Sequence, residues 1–315
     1  MNKCFYRNVL MGVVVAALTV MTVPAWSETI AEFADGLTNT AVDGYVGMAG
    51  GGWAGPWVEG KSTTGAPTAT VTVPTINPLN DQVNDNYLNV QVTGSTTGTK
   101  FFSTMRDYKG TPGVDVTNPY TIDFKYRVNE TLTGSSTFTS IDDRYQIFDT
   151  TGATSVGATA SWYIGCYGGA GSYVDADMVG KWLLYDGGGH DVPSVTTMLL
   201  ARQVNTGITV TAGTIYDMHV AVDPTDYTYD VTISSGGTEL YNSLTANGGA
   251  YAGGLGWRTS ASTSPGILGF LGNTTATDDT RKFSVDSIRI VPEPSTLWMV
   301  ILGGMVLAGV RRRRG

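Results

Sequence analysis

Tyr120, Ile122, Phe124, Tyr126 and Val128 alternate with Thr121, Asp123, Lys125 and Arg127. This period of two is that of a β-strand with one buried and one wet face. The pattern returns at Tyr216, Met218, Val220 and Val222, and again at Tyr227, Tyr229, Val231 and Ile233. Asp223-Pro224-Thr225-Asp226 between them is turn chemistry, so the two segments are predicted to form a hairpin. Shorter strands are predicted over 88–92, 145–148, 160–166, 182–185, 208–210, 268–270 and 283–291. No stretch from Glu28 to Val291 carries a 3.6-residue apolar stripe longer than two turns. Glycine is abundant, and Ser/Thr-rich segments such as 60–70 and 94–99 are predicted to separate the strands. The pattern predicts an all-β chain, a two-sheet antiparallel β-sandwich or jelly roll forming one domain over 28–291.

The two ends break the pattern. Residues 296–310 are an apolar run, followed by Arg311, Arg312, Arg313 and Arg314. Such a run leaves water, and four arginines do not cross a bilayer, so a transmembrane helix is expected with its basic end on the cytoplasmic side. The run is shorter than the roughly 20 residues of a relaxed span, a shortfall that snorkelling arginine stems and local thinning can cover. At the other end Lys3 and Arg7 precede an apolar stretch over 9–23, and Ala25-Trp26-Ser27 offers a small-x-small cleavage site. Residues 1–27 therefore read as a signal peptide whose helix is removed on export, leaving Glu28 as the new N-terminus.

The tail, from Val291-Pro292-Glu293-Pro294 and Ser295 through the apolar helix to the arginine cluster, resembles the PEP-CTERM sorting signal of Gram-negative surface proteins. The resemblance covers the tail, 292–315 with Val291 ahead of it. It implies an exosortase-type membrane processing enzyme as partner. It also implies anchoring in the inner membrane before processing, then delivery to the cell surface or extracellular matrix.

Export changes the charge and the cysteine inventory. Of 19 Lys and Arg, two lie in the signal and four in the tail; the remaining 13 face 27 Asp and Glu, a net charge of −14. Such a domain repels nucleic acid and anionic lipid, so no nucleic-acid partner is expected. Cys4 leaves with the signal, and Cys166 remains as a single thiol with no disulfide partner. Stability must then come from a hydrophobic core, which roughly 265 residues can supply. Cys166, inside a predicted strand, reads as a buried small hydrophobe.

Gly50-Gly51-Gly52-Trp53-Ala54-Gly55-Pro56-Trp57, Ala212-Gly213-Thr214-Ile215-Tyr216 and the closing strand 283–290 together resemble bacterial surface proteins with a concanavalin-like (laminin-G-like) jelly roll. The resemblance implies a sandwich of roughly a dozen strands whose first and last lie side by side. Members of that group include sugar binders, glycosidases and modules without activity, so fold alone assigns no function.

Candidate chemistry is sparse. His190 lies in a glycine loop, and His219 points by alternation to a polar sheet face. No Gly-x-Ser-x-Gly and no zinc-ligand spacing accompanies them. Glycoside hydrolysis needs two facing carboxylates. In glycosidases of this fold they come from a strand reading Glu-x-Asp-x-x-Glu, a pattern from which this chain departs. The domain is therefore read as non-enzymatic. The acid pairs Asp142-Asp143, Asp175 with Asp177, and Asp278-Asp279 lie in or beside loops, where Ca²⁺ could find oxygen ligands; Asp175 and Asp177 are the pair to test. Aromatic residues gather near glycine-rich loops and strand ends. Trp53, Trp57 and Trp162 are expected in the core, whereas Tyr163, Tyr167 and Tyr185 are candidate stacking platforms for sugar rings. The expected function is recognition of extracellular polysaccharide, with a purely structural or adhesive surface protein and a polysaccharide-degrading enzyme as alternatives.

Overall fold

The computed structural model of the chain describes residues 28–31, 33, 52–61, 68–72, 79, 87–93, 100–110, 113–129, 143–150, 160–187, 199–258, 266–274 and 280–293. Among them run sixteen strands: β1 (Thr29–Ala31), β2 (Val58–Lys61), β3 (Thr68–Thr72), β4 (Leu88–Thr93), β5 (Lys100–Asp107), β6 (Tyr120–Val128), β7 (Arg144–Thr150), β8 (Ala160–Tyr167), β9 (Lys181–Tyr185), β10 (Gln203–Thr209), β11 (Ile215–Asp223), β12 (Thr228–Ser235), β13 (Thr238–Asn242), β14 (Leu255–Gly256), β15 (Ile267–Thr274) and β16 (Thr280–Pro292). They form two antiparallel sheets. The nine-stranded sheet runs β13-β12-β11-β6-β16-β4-β3, with β1 beside β16 and β14 beside β12. The seven-stranded sheet runs β10-β9-β8-β7-β15-β5-β2. The first and last strands are neighbours, Thr29 opposite Ile290.

The clean alternation of β6 becomes a clean alternation of burial. Its inward side chains meet the other sheet: Phe124 lies edge-on to Phe270 with ring centroids 5.6 Å apart, and Tyr126 lies edge-on to Trp182 at the same separation. Trp53, Trp57 and Trp162 join this inter-sheet core, as does Cys166. Burial raises the Cys166 thiol well above its ordinary pKa, in keeping with an inert core residue. The predicted hairpin of β11 and β12 forms, with Val220 opposite Val231. In β16 the register shifts between Asp286 and Arg289, and Ser287 takes a positive φ of 51°. The bulge sits where β4 ends and β1 takes over as neighbour, so the extra residue lets one strand serve two partners.

Several expectations need correction. Segment 60–70 was expected to separate strands, but β2 extends into it and β3 begins in it; threonine-rich runs suit an edge strand as well as a loop. β5 and β13 were unpredicted, and the strand expected at 208–210 begins at Gln203. The expected signal segment 1–27 and the tail from Pro294 onward lie outside the described residues, and with them the two helices expected there. Among the described residues no helix is long and apolar enough to cross a membrane.

Candidate functional site

The central strands of the seven-stranded sheet are covered on both faces. Every residue of β8 and β15 is buried, and the same holds for β7 beyond Arg144. Trp162, Ile164 and Cys166 point into the inter-sheet core. Tyr163 and Tyr167 point the other way, as alternation requires, and Tyr185 of β9 joins Tyr163. The exposed platform expected of these three tyrosines is not there: each ring is buried. Val174, with Tyr173, Met178 and Val179, packs over Tyr167 and Leu183. The sequence signal for two-sided cover was that β8 is apolar or aromatic on both faces, the mark of a doubly covered strand.

Within this layer Tyr163 and Tyr185 stack with centroids 5.4 Å apart. A line of hydrogen bonds crosses the strands. Gln203 Nε2 donates to the Tyr163 hydroxyl at 3.1 Å, Gln146 Nε2 donates to the Tyr167 hydroxyl at 2.9 Å, and the two tyrosine hydroxyls are near enough to influence each other. Burial pushes the Tyr167 hydroxyl up to about 12, and Tyr163 likewise rises well above its usual range, so both keep their protons at neutral pH. The outer amide oxygens of Gln146 and Gln203, and that of Asn273 on β15, are buried without a hydrogen-bond partner. Each such acceptor costs about 1–3 kcal/mol relative to one that is satisfied. Glycines let the rings lie close to the sheet: a Cβ on Gly165 would stand 2.9 Å from the Tyr167 ring, and one on Gly269 2.4 Å from Phe148. Gln146, Gln203 and Asn273 escaped the sequence reading, because a single amide in a strand looks like a solvent-facing residue.

The other candidates are dispersed. Asp175 and Asp177 are exposed, Asp175 just before the 3₁₀ turn Ala176–Met178 and Asp177 within it, and among the described residues no cluster of three or more His, Cys, Asp or Glu could hold a metal ion. Asp143 is buried in an ion pair with Arg281 at 3.2 Å, which occupies it as a candidate calcium ligand. Asp142, Asp278, Asp279 and His190 lie outside the described residues. His219 is on the wet face of the nine-stranded sheet as expected, its Nδ1 2.6 Å from Asp123 Oδ1. Asp123, with Glu293 adding, raises the imidazole above its ordinary pKa. Both border an open depression of about 320 Å³ with Lys125, Asp217 and Ser287. Of the tail motif, Val291 and Pro292 close β16, and Glu293 follows as an exposed residue. Pro294 and Arg311, Arg312, Arg313 and Arg314 lie outside the described residues.

These elements define a two-sheet antiparallel β-sandwich with a polar-aromatic layer under one outer face. No family model matches the chain, and no curated protein matches it. Among solved structures it is similar to lectin II from Ulex europaeus, with 11% identity, a TM-score of 0.42, and coverage of 76% of this chain and 93% of that one. It is also similar to the catalytic domain of a glycoside hydrolase family 131 protein from Coprinopsis cinerea, with 12% identity, a TM-score of 0.43, and coverage of 72% and 78%. A family 11 carbohydrate-binding module from Clostridium thermocellum, in complex with a mixed-linked tetrasaccharide, has 11% identity, a TM-score of 0.30, and coverage of 84% and 95%. Likeness at these scores assigns no ligand and no residue role to this chain.

Proposed function

We propose that the protein is an exported component of the cell surface or extracellular matrix, carried there by its signal peptide and its sorting tail. An exosortase-type membrane enzyme is its processing partner, and polysaccharide is what its sandwich recognises. The observation that carries the recognition reading is the set of orphaned amide oxygens beside the hydrogen-bonded tyrosines on one sheet face. Buried acceptors without partners are a standing demand for donors. Sugar hydroxyls supply donors, and the apolar faces of sugar rings suit flat tyrosines. A sugar reaches this layer only when the segments over it give way, so binding is coupled to opening.

The domain acts without catalysis in this reading. Among the described strand residues of this face, Asp107 is the one carboxylate, where glycoside hydrolysis needs two. Burial of all three tyrosines favours a second reading, a structural or adhesive surface protein that keeps this layer closed.

A polysaccharide panel, including the host's own exopolysaccharide, separates the two when read by intrinsic tryptophan fluorescence. Trp162 and Trp182 lie just beneath the layer, in the inter-sheet core, and should report its opening. Saturable binding supports recognition, and no response across the panel supports the structural reading.

A further inference from the structure

We infer that the sandwich stands upright on the surface that holds its tail, its strands along the surface normal and its Pro119–Pro292 end turned toward that surface. The inference rests on the tail anchoring proposed above. β16 runs inside the nine-stranded sheet, flanked by β6 on one side and by β4 and β1 on the other. It stays paired to its last residue, Val291 opposite Thr121 and Pro292 opposite Tyr120. Glu293 then donates its backbone N–H to the Pro119 carbonyl at 2.9 Å. The chain therefore leaves the fold along the strand direction, with no slack between sheet and tail.

Glu293 keeps that direction, and the sequence stiffens it. Pro292 and Pro294 each lock φ near −65°, and a residue preceding proline is pushed into extended backbone, which here fixes Glu293. Pro292-Glu293-Pro294 thus serves as a short stiff strut. Thr296, where the apolar run begins, is the third residue after Glu293, and three residues reach at most about 10 Å. The N-terminal end of β1 emerges at the same place, Glu28 pairing with Arg289. Antiparallel pairing of Thr29 with Ile290 points that end the same way.

The turn between β11 and β12 shares this end, because Val222 lies beside Tyr120. The turn between β12 and β13 lies at the opposite end, about 25 Å away along the eight residues of β12. Asp115, Asp223, Asp226 and Glu293 make the near end acidic. The strut, rather than attraction to lipid, therefore sets the pose. In this pose the face that covers the tyrosine layer is turned sideways, toward a polymer lying parallel to the surface.

The test uses the full chain reconstituted in phosphatidylcholine vesicles. Cys4→Ser removes one thiol and Cys166 is fully buried, so Asp226→Cys or Thr238→Cys gives a single labelling site at the near or far end. Headgroup-located quenchers should quench the label at position 226 several-fold more than that at 238, at low and high salt alike. Ten Gly/Ser residues inserted after Pro294 should erase the difference. Equal quenching of the two labels on vesicle-bound protein overturns the pose and leaves the anchoring intact. Failure of the chain to float with the vesicles overturns the anchoring, and the pose with it.

Discussion

Replacing Gln203 with Met and Tyr163 with Phe together removes a buried amide and the hydroxyl it serves while keeping volume and stacking. The wild-type side chains hold one hydrogen bond to each other, at 3.1 Å, and one orphaned oxygen. Losing the orphan recovers about 1–3 kcal/mol. Losing both partners of their mutual bond together is close to neutral, because nothing is left unpaired. The interaction between the Tyr163 and Tyr167 hydroxyls is also lost, at up to about 1 kcal/mol, although Tyr167 keeps its bond from Gln146. The balance is a domain stabilised by about 1 kcal/mol, or a thermal midpoint higher by about 2–4 °C at this size. Most buried polar substitutions destabilise, so the sign is the informative part. Urea denaturation of wild type, each single variant and the double variant measures it. A double variant less stable than wild type by 1 kcal/mol or more would refute the reasoning, since the Gln203 oxygen must then already be satisfied.

Asp149 is fully buried, accepts hydrogen bonds from Tyr108, Tyr120 and the backbone of Gly266 and Ile267, and is raised by burial from 3.8 to about 6. A raised folded pKa means the neutral form stabilises; the contribution is complete below pH 3.8 and lost as pH rises through about 6, on the order of 3 kcal/mol. Asp149→Asn, which stays neutral, should lack that loss, seen as a wild-type minus variant stability difference that falls between pH 4 and 7. Arg281→Met breaks the buried ion pair with Asp143 and should cost about 3–5 kcal/mol, and adding Asp143→Leu should recover much of it in chemical denaturation. Gly269→Ala drives a methyl against Phe148 and Met105, and should lower stability by about 1–3 kcal/mol in the same assay.

The nine-stranded sheet was legible in the chain because water wets one of its faces. Asp123, Lys125 and Arg127 on β6, and His219 on β11, mark that face in the sequence as they do in the structure. The seven-stranded sheet was only partly legible, because its central strands have no wet face to set a period. Phe101, Phe102, Ser103, Thr104 and Met105 of β5 show no alternation, and the strand went unseen. The same cause misplaced the tyrosines. Period two assigned Tyr163 and Tyr167 to the correct side of β8, but the apolar and aromatic character of both its faces, the mark of a doubly covered strand, was taken for an exposed stacking platform. Gln146 and Gln203 gain meaning only from the tyrosines that tertiary pairing sets beside them, from strands 21 and 40 residues apart in sequence.

The most direct test of the central claim is calorimetric titration of the best polysaccharide from the panel into wild type and into the Gln203→Met, Tyr163→Phe double variant. Saturable binding by wild type that is lost in the folded, stabilised variant is the predicted result, since the groups removed are those the sugar would satisfy. Equal affinity for both proteins would place recognition elsewhere on the molecule and contradict the account.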